Sequence, residues 1–198
     1  MTIEKGQPWG SAVERPDDLL VVDSDAALAA ALAERPDRPV TVSAGDVHRS
    51  LGSPAPRRAM QRLPIDLITC RIGDRTVTTV TAVAHVVMRS GWWRGPIVAA
   101  VNVDHVGVWN VAPRAHPNDG RADVLEVSAA MTLRERWQAR SRLPGGTHLP
   151  HPAIATSTVR ERTWHFDRPL TVWVDGVRVG ASDTVSIEVV PDAGAVYI

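Results

Sequence analysis

From residue 65 to residue 198 the chain is a succession of short runs rich in valine, isoleucine and threonine, each closed by glycine, proline, aspartate or asparagine. β-branched side chains are stiff at χ1 and fit a pleated surface better than a helix. Turn residues at such short intervals leave little room for helices and favour hairpin pairing. The runs predict strands over 65–71, 76–87, 96–103, 105–111, 123–127, 155–166, 170–174, 177–179, 184–190 and 195–198. One helix interrupts them: Thr132 and Glu135 form a capping box, the helix runs to Arg142, and Pro144-Gly145-Gly146 stops it. The expected fold class is α+β, an antiparallel β-sandwich carrying one helix and preceded by a short α/β segment.

The front of the chain has a different character. Leu19 to Val22 reads as a strand, Ser24 as a helix N-cap with Asp25 in the first turn, and the alanine and leucine run to Glu34 as the helix. Pro36 and Pro39 end it, and Pro39 to Ser43 resumes as a strand before the Ala44-Gly45-Asp46 turn. This β-α-β order is one half of a mononucleotide-binding fold at most. The proline- and arginine-rich stretch from Ser53 to Pro64 reads as an exposed linker. Two domains are therefore expected, residues 1–64 and residues 65–198.

Charge and rare residues exclude several functions. Lys and Arg together number 22 and Asp and Glu 22, so the formal charge is zero. That argues against a whole-surface grip on nucleic acid. The charge is uneven, with nine acids against five bases over residues 1–52. Lys5 is the only lysine, so a GK[ST] phosphate loop and a pyridoxal-phosphate Schiff base are not expected. Cys70 is the only cysteine, which excludes an internal disulfide, cysteine zinc clusters and CxxC redox chemistry. No N-terminal signal is evident, and the longest apolar stretch, Val80 to Met88, is too short to span a bilayer. A soluble, cytoplasmic protein without a transmembrane segment is expected.

Several constellations have a plain reading beside a functional one. Asp119-Gly120 and Asp175-Gly176 are hairpin turn signals on spacing alone. His148 and His151 are close, but Pro150 lies between them and no acid is near, which favours surface or capping roles over zinc. The tryptophans read mostly as core filler, and Trp92-Trp93, flanked by Gly91 and Arg94, is the pair expected to be exposed, with an interface or membrane-surface anchor as its functional reading. Arg134, Arg136, Arg140 and Arg142 read as a solvated helix face, with an acidic lipid or phosphate as the alternative partner.

The string Asn110-Val111-Ala112-Pro113-Arg114-Ala115-His116-Pro117-Asn118-Asp119-Gly120-Arg121-Ala122-Asp123-Val124 resembles the aPxAxPxDGxxDv signature of the diacylglycerol kinase and bacterial lipid kinase family, relatives of sphingosine kinases and NAD kinases. Gly146-Thr147-His148-Leu149-Pro150-His151-Pro152 resembles the family's GxHxxHP, and Leu170 to Gly176 its lpvxxDGE strand and turn. Together these span residues 65–198 in the family's order. The resemblance implies a magnesium site at Asp119 with the main-chain oxygens of His116 and Arg121, and a hard cation suits those oxygens. It implies that Asp175 deprotonates the acceptor hydroxyl, although Val177 stands where the family has glutamate. Family enzymes hold ATP through a Gly-Gly-Asp-Gly-Thr loop whose amides meet the phosphates. The nearest match is Ala44 to Gly52, which implies ATP contacts at Gly45, Asp46 and Ser50, but Val47 and His48 replace the second glycine and the threonine.

Two classes of function follow. One is a lipid kinase-like protein with a degenerate ATP loop, a non-catalytic or regulatory module that binds a lipid or a phosphorylated small molecule and pairs with itself or with a complete kinase. The other is an active magnesium- and ATP-dependent phosphotransferase acting on a lipid or other alcohol hydroxyl, its cleft completed in a homo-oligomer.

Overall fold

The computed structural model describes residues 9–54 and 59–198. Strands β1 (Ser11–Glu14) and β2 (Leu20–Val22) lead to helix α1 (Asp25–Glu34), strand β3 (Val40–Val42) and the short helix α2 (Asp46–Ser50). Strands β4 (Ala59–Ile72), β5 (Thr78–Ala82), β6 (His85–Arg89) and β7 (Ile97–Val101) follow, then a small hairpin of β8 (His105–Val106) and β9 (Trp109–Asn110), and then β10 (Ala122–Val127). Helix α3 (Leu133–Arg142) precedes β11 (Ile154–Val159), β12 (Glu161–Val174) and β13 (Val177–Tyr197). The expected caps are in place: Ser24 Oγ accepts from the Ala27 N–H, and Thr132 with Glu135 closes the capping box of α3.

Strands β1, β4, β13, β12, β6, β7, β10 and β11 are hydrogen-bonded in that order, and β5 adds to β4. Every pair in this sheet is antiparallel. The run 78–89 pairs first with β4, through Thr78–Ala82, and then with β12, through Val86–Arg89, although β13 lies between those two strands. A flat sheet cannot satisfy both pairings. The sheet therefore rolls over itself, and the interior of the roll is filled by Ile68, Cys70 and Ile72 of β4, Val86 and Met88 of β6, Val172 and Val174 of β12, and Val185, Ile187 and Val189 of β13. This is the antiparallel sandwich expected from the sequence.

The alternation of β4 explains how the front segment attaches. Its even residues from Ile68 onward face the roll, while Ile65 and Leu67 pack with Leu28 and Leu32 of α1, Val40 and Val42 of β3, and Val196 of β13. The parallel pair β2 and β3 with α1 thus forms a lid on the sheet, sharing its apolar core. A Cβ added at Gly194 would meet Leu32 Cδ1 at 2.9 Å, which shows how closely α1 lies on β13.

Two expectations are corrected. The stretch 53–64 is not an exposed linker throughout: β4 begins at Ala59, Met60 and Leu63 are buried, and β1 pairs with its first residues. Residues 55–58, Arg57 among them, lie outside the described residues. The runs expected separately over 155–174 and 177–198 are mostly the two long strands β12 and β13, bent where their register shifts between His165 and Leu170 and between Val190 and Gly194. A bulge bends a strand without ending it, so turn residues inside it imitate a loop.

Because α1 and the sheet share one core, Leu32→Ala should destabilise the whole protein by about 2–5 kcal/mol, the usual cost of emptying a buried leucine site. Urea unfolding followed by tryptophan fluorescence should show one transition at a lower midpoint. Two transitions, only one of them shifted, would mean that the front segment folds on its own.

Candidate functional site

The turn between β12 and β13 is Asp175-Gly176, both at positive φ, 46° and 80°. That is the turn chemistry expected, but the side chain does more. Asp175 Oδ2 accepts from the Val83 N–H at 2.8 Å, and Oδ1 accepts from the Ala84 and His85 N–H groups at 2.9 Å each. Between β5 and β6 the chain changes pairing partner, which leaves these amides without a strand to bond. The Asp175 carboxylate supplies the missing acceptors. Burial pushes its carboxyl up to about 7, against the opposing pull of the three amides.

A second carboxylate plays the same part beside it. Asp25, in the first turn of α1, accepts from the Asp46 N–H at 2.6 Å and the Val47 N–H at 3.1 Å. Gly45 sits at φ 106°, and a Cβ there would lie 2.6 Å from Asp25 Oδ1, so only glycine permits this approach. Burial raises the Asp25 carboxyl above its ordinary range. Asp46 itself accepts from the Gly107 N–H at 2.8 Å through Oδ1, and its Oδ2 lies 3.4 Å from His85 Nδ1. His85 is buried, which holds its imidazole below the ordinary value while Asp46 draws it back up. Ser50 Oγ, one turn along α2, donates to Asp104, which also bonds His105.

Of the residues singled out from the sequence, Asp46 and Asp175 thus meet at His85, with Gly45 next to Asp46 and against Asp25. Ser50 stands at the edge of that group. His116, Asp119 and Arg121 lie in the loop before β10, and no hydrogen bond or ion pair among the described residues joins them to Asp46 or Asp175. Asp119 Oδ1 accepts from the Arg121 N–H at 2.9 Å. His116 Nδ1 accepts from the Asn118 N–H, and its ring stands edge-on to Trp9. The Asp119 carboxyl is raised by burial and then by the nearby Asp123 and Asp66 carboxylates.

Asp66 was not legible as a functional residue, yet it organises that loop. It is fully buried in β4 and accepts from the Gly120 N–H at 2.6 Å, the Asp192 N–H at 2.9 Å and Asn118 Nδ2 at 3.3 Å. Asn102 Nδ2 then bridges the Asp66 carbonyl to the Val83 carbonyl, joining the loop to the amides held by Asp175. A lone carboxylate within the apolar run Ile65–Ile68 was the available signal, since aspartate is depleted in strands.

On the other side of the β8–β9 hairpin lies an apolar cavity of about 110 Å³. Ile97, Val106, Trp109, Leu125 and Met131 line it, with Trp92, Trp93 and Arg140 among its walls. Gly107 of the same hairpin bonds Asp46, so one small element borders both the carboxylate cluster and the cavity. His148, expected at the surface, is buried in the cavity wall, while His151 Nδ1 caps the Ala153 N–H. Arg136, expected on a solvated face, is also buried: its guanidinium donates to the carbonyls of Trp92, Gly95, Ser128 and Met131. Among the described residues no cluster of three or more His, Cys, Asp or Glu side chains suits a metal ion, and no helix is long and apolar enough to cross a membrane.

Residues 75–198 match the family of the YegS C-terminal NAD kinase beta sandwich-like domain. No curated protein matches the chain in sequence. Among solved structures, the fold is similar to a "putative diacylglycerol kinase from Bacillus anthracis str. Sterne", with a TM-score of 0.68 at 12% identity over 90% of this chain and 77% of that one. A further structure, of diacylglycerol kinases from the same organism, gives a TM-score of 0.56 at 14% identity over 90% of this chain and 75% of that one.

The raised Asp175 carboxyl carries a definite sign. Between the unfolded value near 3.9 and the folded value near 7, the native state holds a proton that the unfolded chain has released. The contribution of this group is therefore fully present below pH 4 and is lost as pH rises toward 7. The stability difference between the parent and Asp175→Asn should shift against the parent over that window, measured by urea midpoints at pH 4.5, 6 and 7.5. A difference independent of pH would mean that Asp175 titrates normally.

Proposed function

The chain belongs to the YegS C-terminal NAD kinase beta sandwich-like domain family, and from that premise we propose that it is a lipid kinase-like binding module that does not transfer phosphate. One observation carries this reading. The amide of Asp46, a position to which the resemblance assigns an ATP contact, and that of the adjoining Val47 already donate to the Asp25 carboxylate. A phosphate brought there would have to displace a buried carboxylate and approach Asp46 and Asp175 as well. Val47 adds a β-branched side chain where a phosphate loop needs glycine. A loop held in this way offers a phosphate no free amide at Asp46 or Val47.

Asp175 supports the same reading. A general base must reach the hydroxyl it deprotonates. Both Asp175 oxygens are engaged by main-chain amides of the same molecule, and the side chain is buried. Its role in this proposal is to close the break between β5 and β6. The ligand of the module is the apolar part of a lipid, held in the cavity beneath α3, whose lining is apolar apart from Arg136, Arg140 and His148. A volume of about 110 Å³ admits one chain end and not two full acyl chains.

Magnesium is a separate matter. Asp119, raised by burial and by two other carboxylates, is a donor that a hard cation would relieve. We assign that cation, as a structural one, to Asp119 with the main-chain oxygens of His116 and Arg121.

Calorimetry should show no saturable heat with magnesium-ATP, while a soluble short-chain fatty acid should quench or shift tryptophan fluorescence through Trp92 and Trp109. Saturable ATP binding together with lipid phosphorylation that Asp175→Asn abolishes would establish the phosphotransferase instead. Magnesium should raise the melting temperature of the parent and not of Asp119→Ala. An equal rise in both would remove the cation from this loop.

A further inference from the structure

Around α3 the arginines and tryptophans form a continuous ladder. The Arg89 guanidinium lies 5.1 Å from the Trp173 ring and 4.1 Å from the Trp92 ring. Trp92 meets Trp109 edge-on at 5.1 Å. Arg140 lies 4.8 Å from Trp109 and 5.6 Å from Trp93. Neither Arg89 nor Arg140 has a carboxylate partner among the described residues. Each guanidinium keeps donors free while stacked on an aromatic ring, the state in which arginine still binds phosphate oxygens.

The surface over this ladder is apolar where solvent-facing side chains are normally polar. Trp93 is 44% exposed, Val108 66%, Leu133 53% and Trp137 63%. Leu133 and Trp137 are one helical turn apart on the outer side of α3. Arg136 ties α3 to the 92–95 turn, and the Trp92–Trp109 contact ties that turn to the β8–β9 hairpin, so the four residues belong to one patch. The patch is also strongly basic. Besides the buried Arg136, segments 89–94 and 133–142 hold Arg89, Arg94, Arg134, Arg140 and Arg142 against the single acid Glu135, whose carboxylate is taken up by Thr132 in the capping box.

We propose that this face is a docking surface for an anionic phospholipid bilayer, with Trp93, Val108, Leu133 and Trp137 entering the interface and the arginines meeting lipid phosphates. Charge complementarity selects the occupant: exposed tryptophan beside unpaired arginine suits a headgroup layer, where an amphipathic ring and a cation are both accommodated. A protein partner would need an acidic and aromatic counterpart, and nothing in the chain's own acid-rich front offers exposed aromatics to match. Trp93 and Arg140 are also walls of the cavity, so docking would place its mouth against the acyl chains. The surface stands independently of whether phosphate is transferred, and independently of the cavity's ligand.

The experiment is co-sedimentation of the full chain with vesicles of phosphatidylcholine alone and of phosphatidylcholine with phosphatidylglycerol. Binding should require phosphatidylglycerol, weaken with salt, and shift tryptophan emission to the blue. Arg94→Glu and Arg134→Glu, both at exposed positions, should each lower the partition coefficient by about fivefold or more. Trp137→Ser should reduce it several-fold at unchanged melting temperature. No binding to anionic vesicles, or binding indifferent to all three substitutions, overturns the proposal. So does a dimer in sedimentation velocity that Trp137→Ser dissociates, because the face would then be covered by a second copy.

Discussion

The Asp66 carboxylate is the point from which the polar interior of this fold is built. A fully buried carboxylate is costly unless its oxygens accept several hydrogen bonds. Here they accept from Gly120, Asp192 and Asn118, which come from the loop before β10 and from the bulge of β13. Without it those donors would be left inside the sheet, each at a cost of about 1–3 kcal/mol. Asn102 carries the network on to Val83, and Asp175 completes it by taking the three amides at the break between β5 and β6. Rolling an antiparallel sheet over itself requires such breaks, and each one exposes amides that the ladder no longer pairs.

The same device recurs at the front of the molecule, where Asp25 holds the start of α2. Carboxylates therefore fill the concave polar sites of this protein from within. Their crowding raises Asp25, Asp66 and Asp175 by burial, and the neighbouring acids add to the effect. An approaching phosphate meets a negative field there, whereas around α3 the unpaired guanidiniums give a field of the opposite sign. The excess of acids over residues 1–52 accounts for Asp25 and Asp46 in this negative region, while Asp66 and Asp175 come from the later chain.

Strand positions were legible because β-branched runs and turn dipeptides act locally, and the caps at Ser24 and Thr132 were legible for the same reason. The order of family motifs carried the sandwich and its relatives. What escaped was long-range. The 53–64 stretch hid a strand because Pro64 and its arginines mask the inward Met60 and Leu63, whose partners lie in β1 and β13. The role of Asp66 depends on donors 54 and 126 residues away, and that of Asp25 on amides 21 and 22 away. Arg136 looked like a surface charge because its four acceptors are main-chain carbonyls, which leave no mark on side-chain identity.

Arg136 also decides how firmly α3 is held. The helix places only Ala139 and Arg136 in the interior, so apolar burial contributes little to its attachment. What anchors it is one planar guanidinium whose donors reach the carbonyls of Trp92, Gly95, Ser128 and Met131 at once. Lysine offers a point charge and cannot span that set. An element fixed by hydrogen bonds and little hydrophobic area opens at lower free energy than the strands beneath it. Ala139, Arg140 and Leu143 wall the cavity, so one of its sides is an element held chiefly by a single arginine. On the reading proposed above, a lipid in contact with both α3 and the sheet would supply the apolar burial that the helix lacks.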